Sequence, residues 1–478
     1  MPFILGANTI SAEAYEIANS CMFDDGDAAD LTRSKGTQTS LQIGTISFWI
    51  KRVTLGIDMK VYTNTVEDDN NRGVIQLPTT DQFRTIDAAS DTLFDLKASA
   101  RSRDPAAWSH WVLAIDTTQS TDTNRIKLYH NGTLQTSFAT ESYCDQNQNL
   151  KFFEGGQTDK EVIGGINGET SDGDFYLAEF IYCDGQQYAA SDFGEFDSDS
   201  PLIWKPTDPS SLTFGNEGFW LDFEDSSALG NDVSGNNNDF TANNLAATDQ
   251  MLDSPTNNFS VMNALDNYYA GATFSQGNLK FVHGSSAWSY NASNIGVANG
   301  RWYCEMKCVD AGSSGIGLQP TVGIASGGST AASEYLGKGA YDWGWRAFTD
   351  QQNVLNNQSE VLGSMSTWTD DDILGIYLDC EDNKLYLAKN GTLENTDGIS
   401  LTAPASTDTG FYFFAAGDNK DNVSATWEAN FGSPSFSISS GNADDNGYGS
   451  FEYSPNITGD STAKSFYAVC TKNLAEFG

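Results

Sequence analysis

Residues 127–134 read KLYHNGTL, and residues 384–393 read KLYLAKNGTL. Each copy alternates apolar and polar residues and then runs into Asn-Gly. Alternation with period two marks a half-buried strand. Asn-Gly is the strongest short signal for a two-residue hairpin turn, because both positions tolerate positive φ. Two such hairpins, each set in the middle of a series of short strands, predict two domains of one architecture in tandem.

The flanking text supports that expectation. TISFWIKR (45–52), WSHWVLAID (108–116), KEVIGG (160–165) and DFYLAEFIY (174–182) surround the first hairpin. GRWYCEMKC (300–308), VGIA (322–325), DILGIYLD (372–379), FYFFAA (411–416) and ATWEANF (425–431) surround the second. These runs are short, rich in β-branched and aromatic residues, and separated by turn signals, as in an antiparallel sandwich. Residues 187–258 change character, with four prolines, clustered acids and Asn/Gly runs, and read as a structured connector. The expected division is a leader or attachment segment (1–16), a sandwich (17–186), the connector (187–258), a second sandwich (259–436) and a tail (437–478).

Composition narrows the function. Lys and Arg total 25 against 64 Asp and Glu, a formal net charge of −39. Such a surface repels phosphate backbones and anionic bilayers, so the chain predicts no nucleic-acid partner. No apolar run reaches the roughly 18 residues of a membrane span, so no membrane insertion is expected. The first residues lack the basic region and apolar core of a signal peptide. The seven cysteines form no close CxxC pair. Cys304 and Cys308 share one face of a strand with Trp302 and Met306 and read as small core residues. These features fit synthesis in a reducing cytoplasm.

The first block resembles LamG-like members of the concanavalin A-like superfamily, on TISFWIKR, WSHWVLAID, KLYHNGTL, VIGG and DFYLAEFIY in the family's order. The second resembles SPRY domains, on GRWYCEMK, VGIA, DDILGIYLDCEDNKLYLAKNGTL, FYFFAAG and WEANFG. Both families imply bent sandwiches of two antiparallel sheets. The expected fold is therefore all-β, with two tandem concanavalin A-like or jelly-roll sandwiches. Across the whole chain, ASDFGEFD, FWLDFEDSSALGNDVSGNNNDFT, DQMLDSPTNNF and CTKNL resemble marine bacteriophage virion proteins of the tail-fibre type. That resemblance implies a virion location after synthesis in host cytoplasm, other virion proteins as partners, and a homo-oligomer, by analogy a homotrimer.

The residues offer little chemistry. Glucanases of this superfamily set carboxylates on one strand as Glu-x-Asp-x-x-Glu, and a retaining pair stands about 5 Å apart. Here Glu195-Phe-Asp197 is followed by Ser200 where the second glutamate is required. No Gly-x-Ser-x-Gly elbow occurs, and His110, His130 and His283 are scattered, so no enzyme is expected. LamG-like domains often hold Ca²⁺ on their rim, which makes Asp24, Asp25 and Asp27 the candidate set. Their spacing is not that of an EF-hand, and a solvated acidic loop explains them as well. For sugars the candidates are Tyr341, Trp343, Trp345 and Arg346, since aromatic faces stack on sugar rings and polar groups bind hydroxyls. Alternation places the three aromatics on one face, which would serve equally as core, the reading that SPRY domains favour.

The function expected from this text is a non-enzymatic virion surface protein, a tail fibre or appendage contacting host-surface polysaccharide. A purely structural virion component, such as a capsid-decorating or tail-assembly protein, is the alternative. A polysaccharide-degrading enzyme stands third.

Overall fold

The computed structural model describes residues 15–65, 70–155, 160–166, 173–267, 269, 271–283, 288–311, 320–329, 331, 334–347, 352–418, 424–458 and 463–478. The expected leader therefore lies almost wholly outside the described residues. The chain divides after Thr256 into two units, each built on two antiparallel sheets.

In the first unit, one sheet runs in the order Thr133–Leu134, Ile126–His130, Trp108–Asp116, Ile43–Arg52, Phe175–Asp184, Ser20–Phe23, Gln250–Met251. The other runs Phe138–Ser142, Asp91–Arg101, Gln82–Ala89, Asn71–Leu77, Met59–Thr65, Lys160–Ile163, Asp30–Arg33, Thr241–Asn243. Alternation in TISFWIKR aims Ile46, Phe48 and Ile50 into the shared core, where Phe48 stacks on Phe180 at 5.2 Å. The opposite face is not wet. Ser47, Trp49 and Lys51 are buried too, as is every residue of Phe175–Asp184.

The cover is the segment expected as a connector. Phe193, Trp204, Phe214 and Trp220 pack with Val112, Ile181 and Cys183 on that outer face. Asp253 holds it down by accepting from Lys51 Nζ at 2.6 Å and Trp108 Nε1 at 2.8 Å. Phe219–Leu221, Thr241–Asn243 and Gln250–Met251 also pair with sheet strands. Residues 187–256 thus complete the first unit, and the boundary falls at 256 rather than 186. The physical reason is the two-sided apolar sheet, which needs a second layer.

In the second unit, one sheet runs Thr273–Ser275, Lys280–Val282, Thr426–Asn430, Arg301–Asp310, Ile373–Asp379, Lys384–Lys389, Thr392–Leu393. The other runs Tyr290–Ala292, Phe413–Asp418, Pro320–Ala325, Asp342–Ala347, Gln352–Asn356, Ser359–Gly363. Trp345, Trp368 and Trp427 link the two through edge-on contacts of 4.7 and 6.4 Å. Cys304 and Cys308 are buried, and all seven cysteines are free. The expected tail packs on the outer face of the first of these sheets. There Glu305 accepts from the amides of Glu452 and Tyr453, and Phe451 meets the Tyr303 ring at 4.9 Å.

The two opening hairpins are built alike. Asn131 and Gly132 have φ of 44° and 74°, and Asn390 and Gly391 have 46° and 77°. Each asparagine also caps the neighbouring strand. Asn131 Oδ1 accepts from His110 N at 2.7 Å, and Asn390 Oδ1 accepts from Ile373 N at 2.9 Å. Each glycine lies under an aromatic from later in its own unit. A Cβ at Gly132 would sit 2.3 Å from the Trp204 ring, and one at Gly391 would sit 2.5 Å from Tyr453.

Candidate functional site: a carboxylate- and hydroxyl-lined cleft

The segments between the Pro320–Ala325 and Asp342–Ala347 strands, with Asp266, Tyr290, Asp408 and Thr409, line a cleft of about 430 Å³ in the second unit. Acids line it as Asp266, Glu334, Asp342 and Asp408, hydroxyls as Ser326, Ser329 and Thr409, and aromatics as Tyr290 and Tyr341. Its walls are held by short local bonds. Ser329 Oγ accepts from Tyr290 N at 2.9 Å, Ser326 Oγ meets Thr409 Oγ1 at 3.1 Å, and Ser326 N donates to Tyr341 O at 3.0 Å. Glycines leave room for two of these carboxylates. A Cβ at Gly328 would lie 2.3 Å from Asp266 Oδ2, and one at Gly339 would lie 2.5 Å from Asp342 Oδ1.

Asp342 opens its strand, and its Oδ2 accepts from Gly337 N at 3.1 Å. Burial pushes its carboxyl up to about 6, against the pull of the Gly339 and Gly337 amides and helped by Glu334. Burial, followed by the charges of Asp342, Glu334 and Asp266, also pushes the Tyr290 phenol up. Trp288, which does not line the cleft, is 37 % exposed, and its ring stands 6.1 Å from that of Tyr335, the residue after Glu334. Together these groups offer hydrogen-bond acceptors, hydroxyls and aromatic faces to a polyhydroxylated ligand.

The sequence candidates separate here. Tyr341 lines the cleft and is half-buried. Trp343 and Trp345 are buried, 3 % and 0 % exposed, against Tyr412 and Trp368, so their faces serve the core and not a sugar. Arg346 is buried, donating to Asn353 Oδ1 from Nε at 3.1 Å and Nη2 at 2.9 Å. Alternation could place these side chains together but could not say which face was core. Asp266, Glu334 and Asp408 carry no sequence signal, because they come from separate loops.

The candidate Ca²⁺ residues Asp24, Asp25 and Asp27 differ in their surroundings. Asp24 is buried and accepts from Gly26 N at 2.9 Å, whereas Asp25 and Asp27 are exposed. Among the described residues no three His, Cys, Asp or Glu side chains converge as a metal requires.

Three arrangements that could suggest catalysis are structural. Asp197 is buried, pairs with Lys205 at 3.3 Å and accepts from Asp199 N and Ser200 N in its own turn. His110 Nδ1 accepts from Trp204 Nε1 at 3.1 Å, so Nε2 carries the proton and donates to Ser47 Oγ at 2.8 Å. That histidine cannot activate Ser47. Burial pushes it down to about 3, so it is neutral. His283 bonds Asp418 Oδ2 at 2.9 Å and Ser289 Oγ at 3.0 Å, an order that matches a hydrolase triad. Ser289 and Asp418 are 0 % exposed and His283 is 1 % exposed, so the hydroxyl meets no substrate.

Residues 24–175 match a sequence family, Laminin_G_3, described as the concanavalin A-like lectin/glucanases superfamily. No curated protein sequence matches the chain. Among solved structures, the SPRY domain of human HERC1 aligns with 32 % of this chain and 87 % of its own, at 19 % identity and a TM-score of 0.25. A Limulus polyphemus protein described as a heptameric SAP-like pentraxin aligns with 37 % and 80 %, at 12 % identity and 0.26. A Bacteroides ovatus protein described as carbohydrate binding aligns with 48 % and 59 %, at 12 % identity and 0.33. Residues 24–175 are thus similar to concanavalin A-like domains, within a chain whose described residues are almost entirely β.

Proposed function

We propose that the chain is a non-enzymatic carbohydrate-binding protein whose second unit holds the saccharide. The observation that carries this reading is the cleft itself, where acids, hydroxyls and the Tyr341 ring meet in about 430 Å³. A sugar ring presents both an apolar face and a fan of hydroxyls, and this lining answers both. The similarity of residues 24–175 to a superfamily that includes lectins fits binding, and the burial of Ser289, His283 and Asp418 supports binding over hydrolysis. Retention on a panel of immobilised bacterial and algal polysaccharides tests it. Wild type should be retained on at least one, and Tyr341→Ala should weaken that retention about tenfold. A folded variant retained as strongly as wild type would place the sugar elsewhere.

The finer setting is a phage tail fibre or similar virion appendage that contacts host-surface polysaccharide, as the whole-chain resemblance implied. Weak sites repeated in a homo-oligomer, a trimer by analogy, would gain strength through avidity. Soluble protein should then compete with virions for adsorption. A capsid-decorating or tail-assembly component would instead show fixed copy number and no competition.

A further inference from the structure

The charge of the cleft goes beyond what a neutral sugar needs. Several buried carboxylates elsewhere in the molecule are met by cations, and others, such as Glu305 and Glu179, are enclosed by neutral hydrogen-bond donors. Glu161 has Arg33 and Lys35, Asp253 has Lys51, and Asp379 has Lys464 and Arg301. In the cleft, no ion pair joins Asp266, Asp342 or Asp408 to a lysine or arginine among the described residues. Asp342 is 5 % exposed, yet its Oδ1 lacks a well-formed hydrogen bond. Among the described residues it is the only buried carboxylate oxygen in that position. A buried acceptor of this kind gains most from a charged N–H donor.

A metal ion would need three or more ligands drawn together, and the described residues do not provide that convergence. An ammonium group is less demanding. It carries one charge, donates in three directions and uses acceptors spread around a pocket.

We propose that the cleft takes a saccharide bearing a free protonated amine, a hexosamine unit, with Asp342 as its principal acceptor and Asp266 and Asp408 supplying further negative charge. The Tyr341 ring and the Ser326, Ser329 and Thr409 hydroxyls then serve the rest of the sugar. This rests on the carbohydrate-binding reading above.

Titration calorimetry of the full chain with three tetrasaccharides tests it: fully deacetylated chitosan, its N-acetylated counterpart, and cellotetraose. The chitosan fragment should bind about tenfold tighter than the others. Asp342→Asn should abolish that preference, with Asp408→Asn as a second variant should the first fail to fold. General attraction to an acidic protein is separated by these single changes, because each removes one of 64 acidic residues. A preference for chitosan that both folded variants keep would overturn the proposal, as would equal binding of all three sugars. Equal binding would leave the carbohydrate reading intact. Binding of none of them, nor of any polysaccharide on the panel, would remove both.

Discussion

Glu161 and Asp342 are both buried carboxylates in β-sandwiches, and their surroundings are opposite. Arg33, Lys35 and Tyr62 surround Glu161, with Lys35 at 2.9 Å and the Tyr62 hydroxyl at 2.6 Å. Burial opposes its ionisation, yet Arg33, Lys35 and Tyr62 together hold it down to about 2. Arg33 also reaches Glu217 beside the other sheet, so this network ties the two layers of the first unit. Asp342 has backbone amides for company, no cation, and an open cleft in front. One carboxylate is enclosed in an ion-pair network, and the other lines a cleft with no cation beside it among the described residues.

Substitution should separate the two. The largest effect is expected for Glu161→Ala, which strands Arg33 and Lys35 in the core and should destabilise the first unit by about 3–5 kcal/mol in urea unfolding. Next come Gly132→Ala and Gly391→Ala. Positive φ and the overlying Trp204 and Tyr453 rings should make each lose about 2 kcal/mol. An equal loss at both sites would show that the hairpins are equivalent in energy as well as shape.

A smaller, pH-dependent effect concerns Glu179, which sits at a sheet bulge with φ of 50° and accepts from Tyr15 and Trp220. Burial pushes it from 4.5 up to about 8. The folded chain keeps a proton there that the unfolded chain releases above 4.5, so stability falls as pH rises from about 4.5 to 8. Glu179→Gln should flatten thermal-melt midpoints across that window, by at most about 1.4 kcal/mol per pH unit. An unchanged slope would mean that Glu179 is ionised in the folded protein. The smallest effect is expected for Asp342→Asn, whose stability should stay within about 1 kcal/mol of wild type. A loss as large as that of Glu161→Ala would make Asp342 a structural group and end the contrast.

Much of the architecture was legible in the sequence. KLYHNGTL and KLYLAKNGTL fold as the paired hairpins their alternation and Asn-Gly turns predict. The turn explains only part of the asparagine, because its side chain also caps the adjacent strand in both units. The role of residues 187–256 was hidden. Their pairing strands are two or three residues long, too short to show a period. Of the residues that line the cleft, the sequence singled out one, Tyr341. Trp343 and Trp345 show the same alternation whether they face solvent or core, and only the second sheet behind them decides. Asp266, Glu334 and Asp408 meet through loop closure, which leaves no mark in local spacing.

The central claim is that the cleft of the second unit holds a sugar. A crystal structure of the full chain with an oligosaccharide from the polysaccharide that retains it tests this most directly. The account predicts a ring between Tyr290 and Tyr341 with a polar substituent on Asp342. Clear sugar density elsewhere on the protein, with the cleft holding only solvent, would contradict it.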